Sequence, residues 1–395
     1  MNEIRQIKGG VCAAAGFTAG ATGCGIKTGE VTRDDLAIVF SEFPAAAAAT
    51  FTTNKVKAAP VRVSADHLRS GRVRAVVLNS GNANACTGQH GLDDARAMAA
   101  DTAAHLGLKP EQVLVCSTGR IGVPLPVARI RKGLLGIRLA RAGGTAAARA
   151  IMTSDTVAKE IAFDIRTEDG AFRIGGMAKG AGMIDPNMAT MLCVITTDAV
   201  VPRAALRQAL RESVEDSFNR ITIDGDMSTN DTVILLANAG SGVAPAPGVF
   251  RSALDGVTRA LARRIVEDGE GVSRFVEVEI HRAATKADAR RAAEAIANST
   301  LVKCAWAGGD PNWGRILDAV GYSGAKMKES AIAIFYDALP VATGGVAAAT
   351  PVKKLRQIAA RKAFRVTVDL QVGSASHGVW TTDLTEEYVR LNLGE

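Results

Sequence analysis

Apolar and polar positions alternate in two different ways along the 395 residues, and the change falls near the middle of the chain. In the first half, short β-like runs are separated by loops rich in glycine and asparagine. Ala37 to Phe40, Ala49 to Thr52 and Val73 to Leu78 read as strands, and Gln112 to Cys116 as another. Between them Leu92 to Leu106 has the spacing of an alanine-rich helix, while Arg141 to Ala150 reads as a surface connection. A glycine-rich approach from Asp169 to Gly182 then runs into an apolar, strand-like segment, Met191 to Ile195.

Beyond it, helices alternate with strands. Val201 to Asp216 is expected to be helical with Pro202 in its first turn, as are Pro247 to Glu267 and Ala283 to Ala297. The expected strands are Thr232 to Ala237, Phe275 to His281, Leu301 to Ala305, Ala331 to Phe335 and Arg365 to Val372. Such an order indicates layered α/β or α+β lobes. No repeat of fixed period appears.

The segment on which the two halves meet, Lys179 to Leu192, reads Lys-Gly-Ala-Gly-Met-Ile-Asp-Pro-Asn-Met-Ala-Thr-Met-Leu. Its glycines permit close backbone approach, and Pro186 removes a donor and sets one dihedral. Thr190, preceded by the small Ala189, stands where a turn meets a buried strand. The reading adopted is that Thr190 attacks its own preceding peptide bond and then serves as a nucleophile, with its freed α-amino group as base. The plainer alternative is a loop threonine ahead of a core strand.

Composition narrows the classes. With 47% apolar and 22% charged residues the chain is that of a globular protein, and it has no apolar window long enough for a membrane span. Its polar start has no signal-like apolar region, which gives a cytoplasmic expectation. The net charge of +7 is spread out, and with 4% aromatics and no recognisable module nucleic acid is not an expected partner. The six cysteines form no CxxC pair, so neither a zinc site nor a disulfide framework is expected; Cys193 remains a rival nucleophile. Histidine-based triads are disfavoured by five scattered histidines and no Gly-x-Ser-x-Gly elbow.

Other motifs remain ambiguous when read alone. Gly20 to Thr28 fails as a phosphate loop because Ile26 separates glycine from lysine. Asp224 to Asp231 fails as a calcium loop, since the twelfth position is Leu235, and reads as a loop stiffened by its own side chains. Asn79 to Gly88 either holds a ligand or is shaped by Asx turns. Ser117-Thr118-Gly119, at a strand end, could direct N–H groups at an oxyanion. Asp268-Gly-Glu270-Gly271 either presents a carboxylate or merely ends a helix. Trp313 beside Arg315 suggests a packed corner.

Taken in order, these segments resemble the ornithine acetyltransferase/glutamate N-acetyltransferase family of arginine biosynthesis. The carrying residues are Thr50 to Asn54, Ala58-Ala-Pro60, Asn79 to Gly88, Ser117 to Gly119, Met152 to Thr156, Lys179 to Leu192, Thr222 to Thr232, Asp268 to Gly271, Asp310 to Ile316 and Tyr388 to Asn392. The resemblance implies a self-processed, N-terminal-nucleophile-like α/β layered sandwich with a smaller C-terminal lobe from about residue 285. It implies cleavage between Ala189 and Thr190, giving an α chain of 1–189 and a β chain of 190–395 that pair as α2β2. It further implies Thr118 and Gly119 as oxyanion stabilisers, and Thr156, Lys179, Thr190, Glu270 and Asn392 as substrate contacts.

The implied reaction passes acetyl from N2-acetylornithine through Thr190 to glutamate, with no metal or other cofactor and with acetyl-coenzyme A open as a second donor. An N-terminal-nucleophile amidase or aminopeptidase, and a non-cleaving binding homologue, are the rival readings. Two departures from the family pattern stand out: Arg120 follows the Ser-Thr-Gly turn in place of valine, and the chain stops at Asn392-Leu-Gly-Glu395, short of the family's last hydroxyl-bearing contact.

Overall fold

A computed structural model describes residues 3–185 and 191–393. Its contacts divide the chain into two compact units. The first takes Met1–Gly180, Asn187–Asn219 and Met227–Ile265; the second takes Ala181–Pro186, Arg220–Asp226 and Val266–Glu395.

In the first unit nine strands among the described residues form one sheet. They are β1 (Glu3–Ile7), β2 (Phe17–Thr22), β3 (Leu36–Phe51), β4 (Val73–Asn79), β5 (Val113–Ser117), β6 (Lys159–Thr167), β7 (Gly170–Lys179), β8 (Leu192–Thr197) and β9 (Thr232–Ala237). Their order is β1-β6-β7-β8-β9-β3-β4-β5, with β2 also on β3. The β4/β5 and β8/β9 pairs are parallel, and the rest are antiparallel.

The two strands expected at Ala37–Phe40 and Ala49–Thr52 are one continuous β3. A register shift between Phe40 and Ala45 lets its first half pair with β4 and its second half with β9. Pro44 sits at this irregularity, where a missing N–H breaks no ladder. Arg74 satisfies the displaced carbonyls, donating to Ser41 O and Glu42 O at 2.7 Å each.

Alternate residues on these strands feed two separate cores. Ala37, Val39, Val76, Leu78, Leu114 and Cys116 face one, with Leu36, Ile38, Ala75, Val77, Val113 and Val115 on the other. A sheet buried on both faces needs helices on both, hence a layered α/β arrangement. Helices Ala59–His67, Gly88–Leu106 and Val127–Leu134 supply one cover.

The opposite core takes Ala147, Ala148 and Ala150 from a helix, Gly144–Ala150, where a surface connection was expected. Small side chains let that helix press onto the sheet. A Cβ on Gly144 would come within 2.7 Å of Gly9 O, so the glycine allows the close approach. Most of the glycine-rich approach to the central segment is a strand, β7.

The second unit carries a six-stranded sheet among its described residues. The strands are β10 (Phe275–Ala283), β11 (Ala333–Tyr336), β12 (Leu339–Thr343), β13 (Val346–Ala347), β14 (Ala363–Asp369) and β15 (Ala375–Thr382), in the order β13-β12-β11-β14-β10-β15. Val276, Val278 and Ile280 point into a core with Ala289, Ala292, Ile296, Trp306 and Tyr336. On the other face Arg365 donates to Glu277 at 2.8 Å, the polar side of a sheet covered once.

Leu301 to Ala305, expected as a strand, lies inside the helix Thr300–Ala307. A short apolar run has no distinctive period. Here Ser299 decides it by accepting the Val302 N–H as an N-cap, 3.4 Å.

Candidate active site

Strand β7 ends on Lys179, whose partner across the sheet is Leu192 at the start of β8; Leu192 in turn pairs with Thr232 at the start of β9. Three strand ends are thus level, and Lys179 is 2% exposed. Its ammonium donates to Thr153 Oγ1 at 2.6 Å and to Thr118 Oγ1 at 3.4 Å, and lies 3.8 Å from Asp155 Oδ2.

Asp155 is the buried counter-charge. Its Oδ1 accepts from Lys159 Nζ at 2.6 Å and from the Gly180 N–H at 2.7 Å, and its Oδ2 from the Thr153 N–H at 3.0 Å. Burial by itself would raise this carboxyl. The ammonium groups of Lys179 and Lys159, with the Gly180 N–H, outweigh it and hold the group at about 2. Thr156 follows it in the chain and is exposed.

The Thr118–Gly119 turn is held by a lattice of buried amides. Ser117 donates to Asn79 Oδ1 at 2.6 Å, and Asn79 Nδ2 to Asn82 O at 3.0 Å. Asn230 Nδ2 bonds both Ala83 O at 2.6 Å and Ser117 O at 2.8 Å. Within the asparagine-rich loop Asn82 Oδ1 accepts the Asn84 N–H at 2.8 Å, an Asx turn, while Asn82 Nδ2 reaches Val123 O and Pro124 O, so the loop is shaped by its own amides and tied to the next one. Gly119 has φ +129°, and a Cβ built there would collide with the Gly81 carbon and the Asn82 nitrogen, neither of which can move aside.

Gly119→Ala should accordingly open the turn. We expect a drop in melting temperature; a variant that melts with the parent would show that the turn tolerates a side chain. Arg120, the departure from the family pattern, is exposed and donates to Lys27 O at 2.9 Å. It is engaged by the backbone of another loop.

Within the second unit Glu270 and Asn392 come together. Asn392 Nδ2 donates to Glu270 Oε2 at 2.9 Å and to Tyr388 O at 2.9 Å. The Glu270 N–H donates to Ala181 O at 2.8 Å, and the carboxylate packs so closely over Gly182 that a Cβ there would meet it at 2.6 Å. Asp224 anchors the same segment by accepting the N–H groups of Met183 at 2.6 Å and Ile184 at 2.8 Å, as well as the Tyr388 hydroxyl at 3.1 Å. Burial raises its carboxyl despite these donors. Asn312, in the motif with Trp313 and Arg315, caps a helix by accepting the Arg315 N–H at 3.2 Å, and Trp313 packs against the core.

Ala189 and Thr190 lie outside the described residues; Met191 is the first described position after them. Cys193 is buried inside β8, and burial pushes its thiol up, the wrong direction for a nucleophile. Among the described residues no group of three His, Cys, Asp or Glu side chains could hold a metal ion, and no helix is long and apolar enough to cross a membrane. Thr153, Asp155 and Lys159 escaped the sequence reading as individual residues. The one available signal was a polar Thr-Ser-Asp-Thr run between an alanine-rich stretch and a strand.

Fold and site together define an α/β protein that presents a buried lysine to a threonine–glycine turn at the end of a double-faced sheet. The ArgJ family model matches residues 18–394, and the chain belongs to that family. It is 45% identical over 397 residues to the arginine biosynthesis bifunctional protein ArgJ of Symbiobacterium thermophilum, covering 98% of this chain and 99% of that one. To the protein of the same name in Geobacter sulfurreducens it is 46% identical over 386 residues, 95% of this chain and 98% of the other. Among solved structures, the ornithine acetyltransferase of Mycobacterium tuberculosis complexed with ornithine is 41% identical, with a TM-score of 0.43, covering 48% of this chain and all of that one.

Proposed function

We propose that this chain cuts its backbone between Ala189 and Thr190 and then uses Thr190 to carry the acetyl group of N2-acetylornithine to glutamate. Membership of the ArgJ family supports the reading. The observation that carries it is the Lys179 ammonium within 3.4 Å of the Thr118 hydroxyl, beside a turn that only glycine can complete.

In the first half-reaction Thr190 Oγ attacks the acetyl carbonyl, and the oxyanion draws on the Thr118 hydroxyl and the Gly119 N–H. The C–N bond breaks, the proton taken up by the Thr190 α-amino group passes to the departing amine, and ornithine leaves. In the second, the glutamate amine attacks the ester, N-acetylglutamate departs and the threonine hydroxyl is restored. Lys179 offers a positive charge to a substrate carboxylate, Glu270 with Asn392 offers an acceptor to a substrate ammonium, and Thr156 adds a hydroxyl. The α-amino group handles the protons, so the scheme requires no metal. The two chains would assemble as α2β2 in the cytoplasm.

Supplying acetylornithine with and without glutamate tests the reaction. Ornithine release should depend on glutamate and match N-acetylglutamate formed one for one. Release that ignores glutamate would favour an N-terminal-nucleophile amidase, and an uncut, inactive chain a binding homologue. Acetyl-coenzyme A with glutamate alone tests the second donor.

A further inference from the structure

The backbone just after the proposed nucleophile is gripped by a carboxyl group with no role assigned so far. The Met191 N–H donates to Asp231 Oδ1 at 2.9 Å, and the Met191 carbonyl accepts the Thr232 N–H at 3.1 Å. Asp231 is itself fixed, because its own carbonyl accepts the Thr52 N–H at 3.0 Å and its side chain is fully buried. Among the described residues its Oδ2 is buried and takes no hydrogen bond.

That is an expensive way to satisfy one amide. A buried carboxyl with an unused oxygen costs free energy that a neutral acceptor would avoid. Burial drives it well above the ordinary carboxyl range, against weaker pulls from the Met191 N–H and Lys179.

An N-terminal nucleophile has a particular problem that this contact addresses. Once the preceding bond is cut, residue 190 is tethered on one side only, through the amide it shares with Met191. Whatever fixes that amide plane fixes the axis about which the new terminus turns. With both the N–H and the carbonyl of Met191 held, and Leu192 registered against Lys179 and Thr232, the tether is anchored at the level of the lysine.

We propose that Asp231 is a positioning residue for Thr190, holding the Met191 amide through which the new terminus stays tethered. This inference rests on the nucleophile assignment above. The acceptor geometry is the operative feature, so a side chain that keeps an oxygen at this place keeps most of the function.

The full chain is the test material, with Asp231→Ala and Asp231→Asn compared for the rate at which fragments appear by mass spectrometry, for kcat and KM per cleaved molecule, and for melting temperature. We expect Asp231→Ala to slow fragment appearance and to lower kcat by roughly 10²-fold, the cost of about an ångström of misplacement, with KM within about twofold of the parent. Asp231→Asn, whose amide oxygen still accepts the Met191 N–H, should recover kcat to within about fivefold.

A folded Asp231→Ala with parental kcat overturns the proposal, and so does an Asp231→Asn as slow as Asp231→Ala, since charge and not acceptor geometry would then matter. Should the alanine variant fail to fold, an Asp231→Asn below about a hundredth of the parental kcat overturns it equally. An uncut parental chain instead sinks the nucleophile assignment, so the two failures are distinct.

Discussion

Thr190→Ala should run as one uncut chain on a denaturing gel, where the parent should give fragments 1–189 and 190–395, and transfer should fall by on the order of 10⁴-fold or more. Both effects are expected under the proposed mechanism, in which one hydroxyl attacks the backbone first and the acetyl group afterwards. Intact masses of the two fragments decide the matter, because a second chain beginning anywhere but Thr190 would move the nucleophile. A variant that stays uncut yet transfers acetyl at the parental rate would separate the two roles and end the proposed mechanism.

Asp155→Ala should produce the largest loss of stability. The Asp155 and Lys159 side chains are both 0% exposed and meet at 2.6 Å, and Lys179 sits 3.8 Å away on the other oxygen. Removing the carboxylate takes a buried counter-charge from two ammonium groups, a loss of roughly 3–5 kcal/mol for a broken buried pair, or about 10 °C in melting temperature for a unit of this size.

The pH dependence follows from the direction of the shift. The folded carboxyl titrates at about 2, below its ordinary 3.8, so its contribution is complete above the unfolded value and is lost as pH falls through the folded one. That contribution is on the order of 2 kcal/mol, and the gap between parent and variant should narrow from pH 5 towards pH 2. Urea unfolding at several pH values reads this directly, and a constant gap would contradict the assigned charge state. Under the proposed role of Lys179 as the contact for a substrate carboxylate, losing Asp155 should also raise KM for an anionic substrate roughly tenfold.

Much of this architecture was legible where a local signal existed. Pro247–Glu267 and Thr232–Ala237 are found at the residues that pattern alone indicates, because a long amphipathic run and a short apolar run flanked by polar residues each admit one arrangement here. Leu301–Ala305 misled because five residues, four of them apolar around Lys303, fit either period, and the deciding group, the Ser299 hydroxyl, lies outside the run. The helix at Gly144–Ala150 was hidden for the opposite reason. Alanine and glycine announce neither face, and only the sheet beneath shows that their smallness is what the contact requires.

The candidate site divides along the same line. Lys179, Thr118, Gly119, Glu270 and Asn392 are reached in sequence through the family resemblance, since the Ser-Thr-Gly turn and the carboxylate between glycines are ambiguous when read alone. Asp155 and Asp231 did not. An aspartate in a polar run reads as solvated until its burial is known, and burial is set by strands far away in the chain.

By itself, then, the order of residues determined that alternating apolar segments would build α/β layers, and it made the central glycine-rich segment the expected place of the chemistry. It also placed the chain in its family through motifs spread over nearly its whole length. Only tertiary structure decided that β3 bends between two sets of partners, that short segments at 181–186 and 220–226 join the C-terminal unit, and which carboxylates face which lysines. The physical reason is that periodicity and turn chemistry are properties of neighbours in the chain. Charge pairing away from water depends on distances between residues that only folding brings together.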